Sequence, residues 1–242
     1  MTRFNKQSLL LGLMLGAAFP TLHAAGMQIT PTGLSLPAKQ RAGVFTLSNT
    51  GKKPLTAQVR VFRWTQDAEG KDVLVPSRDV LASPPMVKLA AGAQQQFRVV
   101  RAKPAVQGAA EEAYRLVVDE LPAPDEKPKS GLNFVLRYSV PVFLNQTDSP
   151  ETKLQWQAAS AAGGKTLLTV QNTGGAYAQL SGLAVKTGKG EKNLIGGLAG
   201  YVLPGSRVQY TLDAAPSSFG KGGFSVKVNG RVLQPEVRFA AP

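Results

Sequence analysis

Histidine and cysteine, on which most nucleophilic and zinc chemistry depends, are nearly missing from this chain of 242 residues. There is no cysteine, and the one histidine, His23, lies close to the N-terminus. If the N-terminal segment is removed during export, neither residue remains. A Ser-His-Asp triad, a Cys-His pair and zinc sites built from imidazole or thiolate are then excluded, and no metal site is predicted.

Two pairs of adjacent carboxylates are the remaining candidates for acid/base chemistry. Glu111-Glu112 and Asp119-Glu120 have the residue types that glycoside hydrolysis uses. Neighbouring residues on a strand, however, point to opposite faces of the sheet. Carboxylates on exposed strands are usually solvated or paired with lysine and arginine, which are abundant here. We therefore predict a protein that is not an enzyme and has no cofactor.

A glycine-rich segment resembles the end of a phosphate-binding P-loop. The segment is Gly163-Gly164-Lys165-Thr166. A P-loop needs a glycine where Ala159 stands, and it needs a helix after the lysine. A turn that leads into a strand at Leu167 explains these residues better.

The N-terminus has the pattern of a secretory signal peptide. Arg3 and Lys6 precede an apolar run from Leu9 to Phe19, and Pro20 ends the run ahead of Leu22-His23-Ala24, after which cleavage is expected. The run is shorter than the roughly 20 residues that cross a membrane. We predict that residues 1–24 are a cleaved signal peptide, that the mature chain is exported, and that it does not insert into a membrane.

The mature chain of 218 residues (242 − 24) is basic and must be stable without disulfides. Its formal net charge is +11, because Arg3 and Lys6 leave with the signal peptide from a total of +13. The absence of cysteine requires hydrophobic cores larger than those of small disulfide-bonded secreted domains. The charge favours acidic partners and leaves nucleic acid, anionic lipid and acidic proteins open.

Short β-branched or aromatic segments recur along the mature chain between glycine, proline and asparagine, and no long segment has helical periodicity. The pattern is that of an all-β protein. The clearest predicted strands are Gly43–Leu47, Thr56–Trp64, Gln95–Val100, Tyr114–Leu121, Leu132–Leu144, Thr166–Gln171, Arg207–Leu212 and Gly223–Val228. Strands at this spacing indicate β-sandwiches with Greek-key connections.

A weak internal repeat divides the chain. Leu47-Ser48-Asn49-Thr50-Gly51 is echoed by Val170-Gln171-Asn172-Thr173-Gly174, and in each half a glycine turn, at Gly92 or Gly205, precedes a later strand. The repeated order favours two tandem sandwich domains. We predict domains at residues 25–145 and 151–242, joined by a polar stretch that ends in Pro150.

The predicted strand from Leu132 to Leu144 is about twice the usual length. Alternate residues make one face apolar: Leu132, Phe134, Leu136, Tyr138, Val140, Val142 and Leu144. Pro141 cannot donate a ladder hydrogen bond, so this end of the strand should lie at an edge or a bulge. The strand is either an ordinary core strand or an edge that completes the sheet of a partner, and periodicity leaves both open.

Motifs along nearly the whole mature chain resemble the periplasmic pilus chaperones of the chaperone-usher pathway, most closely their archaic, Csu-like branch. The motifs are Pro31, Leu47-Ser48-Asn49, Val59 to Gln66, Ser83-Pro84-Pro85, Gly92 with Phe97-Arg98-Val99, Tyr114-Arg115-Leu116, Glu120-Leu121-Pro122, Val140-Pro141-Val142-Phe143, Asn172-Thr173-Gly174 and Gly200 to Gly205. The motifs Trp64-Thr65-Gln66 and Pro141-Val142-Phe143 are most similar to those of the archaic branch.

The resemblance implies two immunoglobulin-like domains in an L or boomerang arrangement, with a pilus subunit bound across the cleft. It implies that the long strand is donated to the subunit, with Leu132, Phe134 and Leu136 as donated side chains and Tyr138 next on the same face. It further implies a periplasmic location, delivery of subunits to an outer-membrane usher, and two basic side chains that bind the subunit's terminal carboxylate.

The sequence departs from the better-known branch at those basic positions. Thr32-Gly33 and Pro141 stand where the cleft arginine and lysine are expected, and Asn145 replaces an interdomain arginine. Arg115 and Arg137 are the predicted substitutes, because each lies in a strand beside the expected cleft and a guanidinium binds carboxylate through two hydrogen bonds.

Two competing functions are less consistent with the sequence. A structural pilus subunit or adhesin usually has an N-terminal donor arm, often with a disulfide, whereas here Met27 starts the first strand almost at once. A nucleic-acid-binding module would need clustered charge and stacking aromatics, which are not evident, so no nucleic acid partner is predicted. Self-association of the free protein, and the identity of the pilus, are left open.

Overall fold

The computed structural model describes residues 26–122, 135–147, 150–188 and 190–239. The predicted signal peptide, residues 1–24, lies outside them. The described first half contains strands β1 (Met27–Thr30), β2 (Leu34–Leu36), β3 (Ala42–Asn49), β4 (Leu55–Gln66), β5 (Asp72–Pro76), β6 (Val80–Ser83), β7 (Met86–Leu89), β8 (Gln94–Arg101), β9 (Glu112–Leu121) and β10 (Arg137–Leu144).

These strands form two sheets that enclose one core. One sheet has the order β1-β3-β8-β6, and the other has the order β2-β10-β9-β4-β5, with β7 also paired to β4. The pairing is antiparallel except between β2 and β10, which run parallel. Alternation of buried and exposed residues produces the core, since period-two side chains from both sheets meet between them. The largest buried side chains of this core are Phe45, Phe97, Tyr114, Met27, Leu36, Leu47, Leu116 and Leu144.

The described second half has its own two sheets. Its strands are β11 (Leu154–Ala161), β12 (Lys165–Asn172), β13 (Ala178–Thr187), β14 (Gly190–Val202), β15 (Arg207–Leu212), β16 (Phe224–Val228), β17 (Arg231–Leu233) and β18 (Val237–Phe239). The sheet orders are β15-β12-β11-β18 and β14-β13-β16-β17. A second core around Trp156, Phe219 and Phe224 lies between them. Among the described residues, no helix has the length and apolar character to cross a membrane.

The internal repeat seen in the sequence is a repeated turn in the structure. Asn49 and Asn172 are buried at the ends of β3 and β12, and each accepts from the backbone N–H of the glycine two residues on, at 2.9 and 3.0 Å. The carbonyl of each asparagine accepts from a downstream glycine, Gly92 or Gly205, at 2.9 Å. Both of those glycines have positive φ, as their turns require. The same asparagine-centred turn therefore occurs in both sandwiches.

The segment predicted as a polar linker is partly buried. Gln146 is 4% exposed, and its Oε1 accepts from Val106 N–H at 2.9 Å. Arg101, also buried, donates from Nη2 to the carbonyls of Asn145 and Leu36 at 2.7 and 3.1 Å. The start of the connection is therefore fixed to the first sandwich, because buried polar groups need such partners.

The predicted strand from Leu132 to Leu144 is shorter in its described part, because β10 begins at Arg137. Val135 and Leu136 precede the strand, and residues 132–134 lie outside the described residues. The backbone still contacts β9 before the strand begins, since Glu120 N–H donates to the carbonyl of Leu136 at 2.9 Å.

Candidate functional site

One side of β10 is open over its first five residues. β9 pairs with all of β10, whereas β2 pairs only with Val142–Leu144. Arg137–Pro141 therefore has no strand on its second side among the described residues. The prediction that Pro141 lies at an edge is confirmed.

The open side presents backbone hydrogen-bonding groups. In an antiparallel ladder, N–H and C=O of successive residues point to alternate sides. Leu136 bonds toward β9, so the even-numbered residues of β10 face β9 and the odd-numbered ones face outward. Arg137 and Ser139 thus offer both N–H and C=O to a further strand, and Pro141 offers only its C=O.

A groove runs beside this open side, between the edge strands of the two sheets. It has a volume of about 380 Å³ and is lined by Gln28–Thr30, Thr32 and Tyr138–Val140. The Tyr138 hydroxyl donates to the carbonyl of Met27 at 2.6 Å and so connects β10 to β1 beside the groove. An extended segment of a partner would find both backbone groups and apolar surface here.

A larger cavity of about 730 Å³ lies where the two halves meet. Its first wall includes Gln66, Asp72, Arg115 and Pro141, and its second wall includes Tyr201 and Tyr210 from the second half. Pro141 is the cross-strand neighbour of Arg115. The open edge of β10 therefore ends at this cavity.

Arg115 is held in the cavity by aromatic rings. Its guanidinium carbon lies 3.6 Å from the Trp64 ring centroid and 5.3 Å from that of Tyr201. The side chain is 13% exposed, and Asp72 is its salt-bridge partner at 3.5 Å. Burial lowers the pKa of Arg115, although arginine remains charged at neutral pH. The result is a cation in a fixed position, of the type that binds an oxyanion through several hydrogen bonds.

Arg137, the second predicted anchor, does not share this cavity. Its Nε donates to Asp119, whose other oxygen accepts from Arg60 at 2.6 and 3.1 Å. These two arginines hold the pKa of the Asp119 carboxyl below its ordinary value, against the effect of burial, which raises it. Arg137 lies across from Asp119, four residues from Arg115 on β9, which is about 13 Å along the strand. The two predicted anchors share one face of the sheet but not one site.

The predicted donor residues are only partly described. Leu136 and Tyr138 are half-buried against the core of the first sandwich, whereas Leu132 and Phe134 lie outside the described residues. The face that carries Leu136 and Tyr138 continues into the buried Val140, Val142 and Leu144. An added strand would thus extend the apolar face of the core.

The two halves are joined by an aromatic cluster. Phe143 on β10 contacts Tyr177 and Tyr201 of the second half and Trp64 of the first. Gln66 connects the halves by hydrogen bonds, since its Nε2 donates to the carbonyl of Tyr201 at 2.8 Å and its Oε1 accepts from Leu203 N–H at 2.9 Å. The strand with the open edge therefore also forms part of the joint between the halves.

Sequence reasoning missed several residues of the cavity. Asp72, Gln66 and Tyr201 were not predicted to line it. Gln66 and Tyr201 belong to motifs that carried the family resemblance, but only the folded chain brings them next to Arg115. Asp72 starts an exposed edge strand, β5, that the sequence did not predict. No signal in the sequence marks Asp72 as the partner of an arginine 43 residues away.

The carboxylate pairs are structural groups. Asp119 pairs with two arginines, and Glu112 pairs with Arg63 at 3.0 Å. Glu111 is 7% exposed at the joint, and its Oε1 accepts from Tyr177 N–H at 3.1 Å. Burial raises the pKa of Glu111 to about 7. Gly163 and Gly164 form a turn into β12, as the sequence predicts.

Comparison with known proteins gives one family match. Residues 26–147 match the family described as pili and flagellar-assembly chaperone, PapD N-terminal domain. A search of curated proteins finds no match.

Solved structures show the same architecture over most of the chain. A chain of the CsuC–CsuE chaperone–tip adhesion subunit pre-assembly complex from archaic chaperone-usher Csu pili of Acinetobacter baumannii is 28% identical, with a TM-score of 0.69, and the match covers 90% of this chain and 100% of that one. The E. coli chaperone DraB is 19% identical, with a TM-score of 0.62, and 88% and 97% of the chains are covered. A chain of the Salmonella enterica SafA pilin–SafB chaperone complex is 20% identical, with a TM-score of 0.60, and the match covers 84% of this chain and 89% of that one. The predicted all-β fold of two sandwiches is confirmed.

Proposed function

Because this chain belongs to the family of pili and flagellar-assembly chaperones with the PapD N-terminal domain, we propose that it stabilises pilus subunits by lending each one a β-strand. A role as a chaperone of chaperone-usher pilus assembly follows from the family and from the likeness to the Csu complex. Chaperones of this family are not enzymes, which confirms the prediction of a non-enzymatic protein. The predicted resemblance to the archaic branch is likewise confirmed.

The observation that carries the proposal is the open side of β10, which ends beside Arg115. A subunit strand on Arg137–Pro141 would gain backbone hydrogen bonds and would bring its chain end to the cavity. Its terminal carboxylate would bind the Arg115 guanidinium, since charge-assisted bonds of this kind are strong in partly buried sites. Arg137, at the start of β10, would be a second basic contact for the bound strand, about 13 Å from Arg115.

The proposed donated side chains are those that the family resemblance implies. Leu132, Phe134 and Leu136 would fill the open groove of the subunit, and Tyr138 would lie at the boundary between donor segment and chaperone core. We propose that residues 25–145 are the donating domain, that residues 151–242 are the second domain, and that residues 1–24 direct export to the periplasm. The subunit is then delivered to an outer-membrane usher, where the strand of a neighbouring subunit replaces the donated one.

The donor assignment is tested by co-expression with a pilus subunit from the same gene cluster. Phe134→Asp should abolish co-purification of the subunit while the circular dichroism and melting temperature of the chaperone stay unchanged. Phe239→Asp is a matched control, because Phe239 is a 51% exposed apolar residue in the second half. Unaltered complex formation by Phe134→Asp would overturn the assignment.

The carboxylate anchor has a separate test. Arg115→Ala should lower the yield of the subunit complex, and removal of the subunit's last residues should have the same effect. The effects of the two changes on the yield of the complex should not add, because each change removes one side of the same contact. When no subunit is present, the open edge is the surface on which two free copies would pair, and gel filtration of the isolated protein reports it.

A further inference from the structure

The proposed anchor, Arg115, already has a carboxylate beside it. Asp72 Oδ2 lies 3.5 Å from Arg115 Nη2, and in the described part of the chain no other carboxylate is bonded to this guanidinium. Asp72 begins β5, the edge strand next to β4. A partner's carboxylate that enters the cavity would therefore meet a guanidinium next to an existing negative charge.

The contact between Asp72 and Arg115 is loose. Its distance exceeds the roughly 2.7–2.9 Å of a strong bond between a guanidinium and a carboxylate. The Asp72 side chain is 46% exposed, whereas that of Arg115 is 13% exposed. Trp64, stacked at 3.6 Å, fixes the guanidinium independently of Asp72. The carboxylate can thus turn toward solvent while the arginine stays in place.

The position of Asp72 is tied to the joint between the halves. Gln66 Nε2 donates to Asp72 Oδ1 at 3.3 Å and also to the carbonyl of Tyr201. Asp72 is therefore held over the cavity by a residue that connects both halves. This hydrogen bond distinguishes Asp72 from an exposed acidic residue that has no contact with the joint.

We propose that Asp72 is an internal competitor for Arg115, which weakens the capture of a partner's terminal carboxylate and so eases its release. The proposal rests on the proposed function of Arg115 as carboxylate anchor. An entering carboxylate must displace Asp72 from the guanidinium or bind within a few ångströms of a like charge, and either event lowers its affinity. A lower affinity for the carboxylate favours a chaperone that must release its subunit.

The experiment uses the full mature chain carrying Trp156→Phe, so that Trp64 under Arg115 is the only tryptophan and reports binding by fluorescence. The probe is a synthetic octapeptide of alternating valine and threonine with a free terminal carboxylate, compared with the same peptide as a terminal amide. Asp72→Asn retains the oxygen that accepts from Gln66 and removes the charge. Glu69→Gln is the matched control, because Glu69 lines the same cavity without an ion pair to Arg115.

Asp72→Asn should tighten binding of the carboxylate peptide about three- to tenfold and leave the amide peptide unchanged. Glu69→Gln should change neither by more than about twofold, and Asp72→Asn should have no effect in an Arg115→Met background. Weaker binding by Asp72→Asn, or equal tightening of the amide peptide, overturns the proposal. If Arg115→Met itself leaves carboxylate binding unchanged, the anchor fails; if Arg115→Met weakens binding and Asp72→Asn has no effect, only the competitor role fails.

Discussion

Phe143 and Tyr177 stack face to face, with ring centroids 3.6 Å apart and planes inclined by 8°. The first residue belongs to the strand with the open edge, and the second belongs to the other half of the molecule. The open edge and the joint between the halves therefore belong to one strand.

Phe143→Ala should loosen this joint. The substitution removes a ring that is 2% exposed and packs against three aromatic side chains, and such changes cost about 3 to 5 kcal/mol. We expect a larger radius of gyration by small-angle X-ray scattering. Phe219→Ala, in the core of the second half alone, should destabilise the protein without changing the radius of its folded state. Identical scattering by wild type and Phe143→Ala would contradict the role of the joint.

Ser139→Pro should block strand addition without unfolding the protein. Ser139 N–H points to the open side of β10, so its loss leaves the ladder with β9 intact, and proline is tolerated at sheet edges. We expect a co-expressed pilus subunit to be lost from the complex, while Ser139→Val, which retains the N–H, preserves it. Equal subunit yield from both variants would show that partners do not pair with this edge.

Glu111 should make stability depend on pH. Its pKa is raised by burial from about 4.5 to about 7, so the native state holds a proton that the unfolded state releases. The stabilisation of the folded state by protonated Glu111 is complete below pH 4.5 and is lost as the pH rises through about 7. Glu111→Gln should therefore match the wild type at pH 4.5 and exceed it by up to about 3 kcal/mol at pH 8. Urea unfolding at several pH values measures this difference, and parallel curves would contradict it.

The repeated asparagine turn should be costly to remove. Asn172 Nδ2 donates to the carbonyls of Ala176 and Val202 at 2.7 and 3.0 Å, within a residue that is fully buried. Asn172→Leu leaves these groups without partners and should cost about 2 to 4 kcal/mol. Thr173→Ala, at the neighbouring exposed position, should cost little. Equal chemical denaturation midpoints for the two variants would argue against this function of the turn.

Much of the fold was predictable because it depends on local patterns. Short β-branched or aromatic segments marked strands such as β3, β8 and β12, and the Asn-Thr-Gly repeat marked equivalent turns in both halves. The exposed edge strand β5 was not predicted, because all five of its residues are exposed and no alternation marks it. The sequence also does not reveal why Gly174 is a glycine: an added Cβ would lie 2.4 Å from the Glu151 carbonyl oxygen.

The site was predictable only in part. The sequence identified Arg115 as a cation beside the cleft, because it lies in a recognisable strand. It did not reveal that Arg137 would pair with Asp119, or that Asp72 would reach Arg115, since both contacts depend on tertiary registers between strands distant in sequence.

The short strand β2 limits what can be added to β10. It occupies the outer side of Val142–Leu144, so a second strand on that side has to stop at Pro141. A slip of one residue would turn the partner's apolar side chains to the wrong face. β2, which is three residues long, would therefore fix the position at which an added strand ends, and with it the register of that strand against β10.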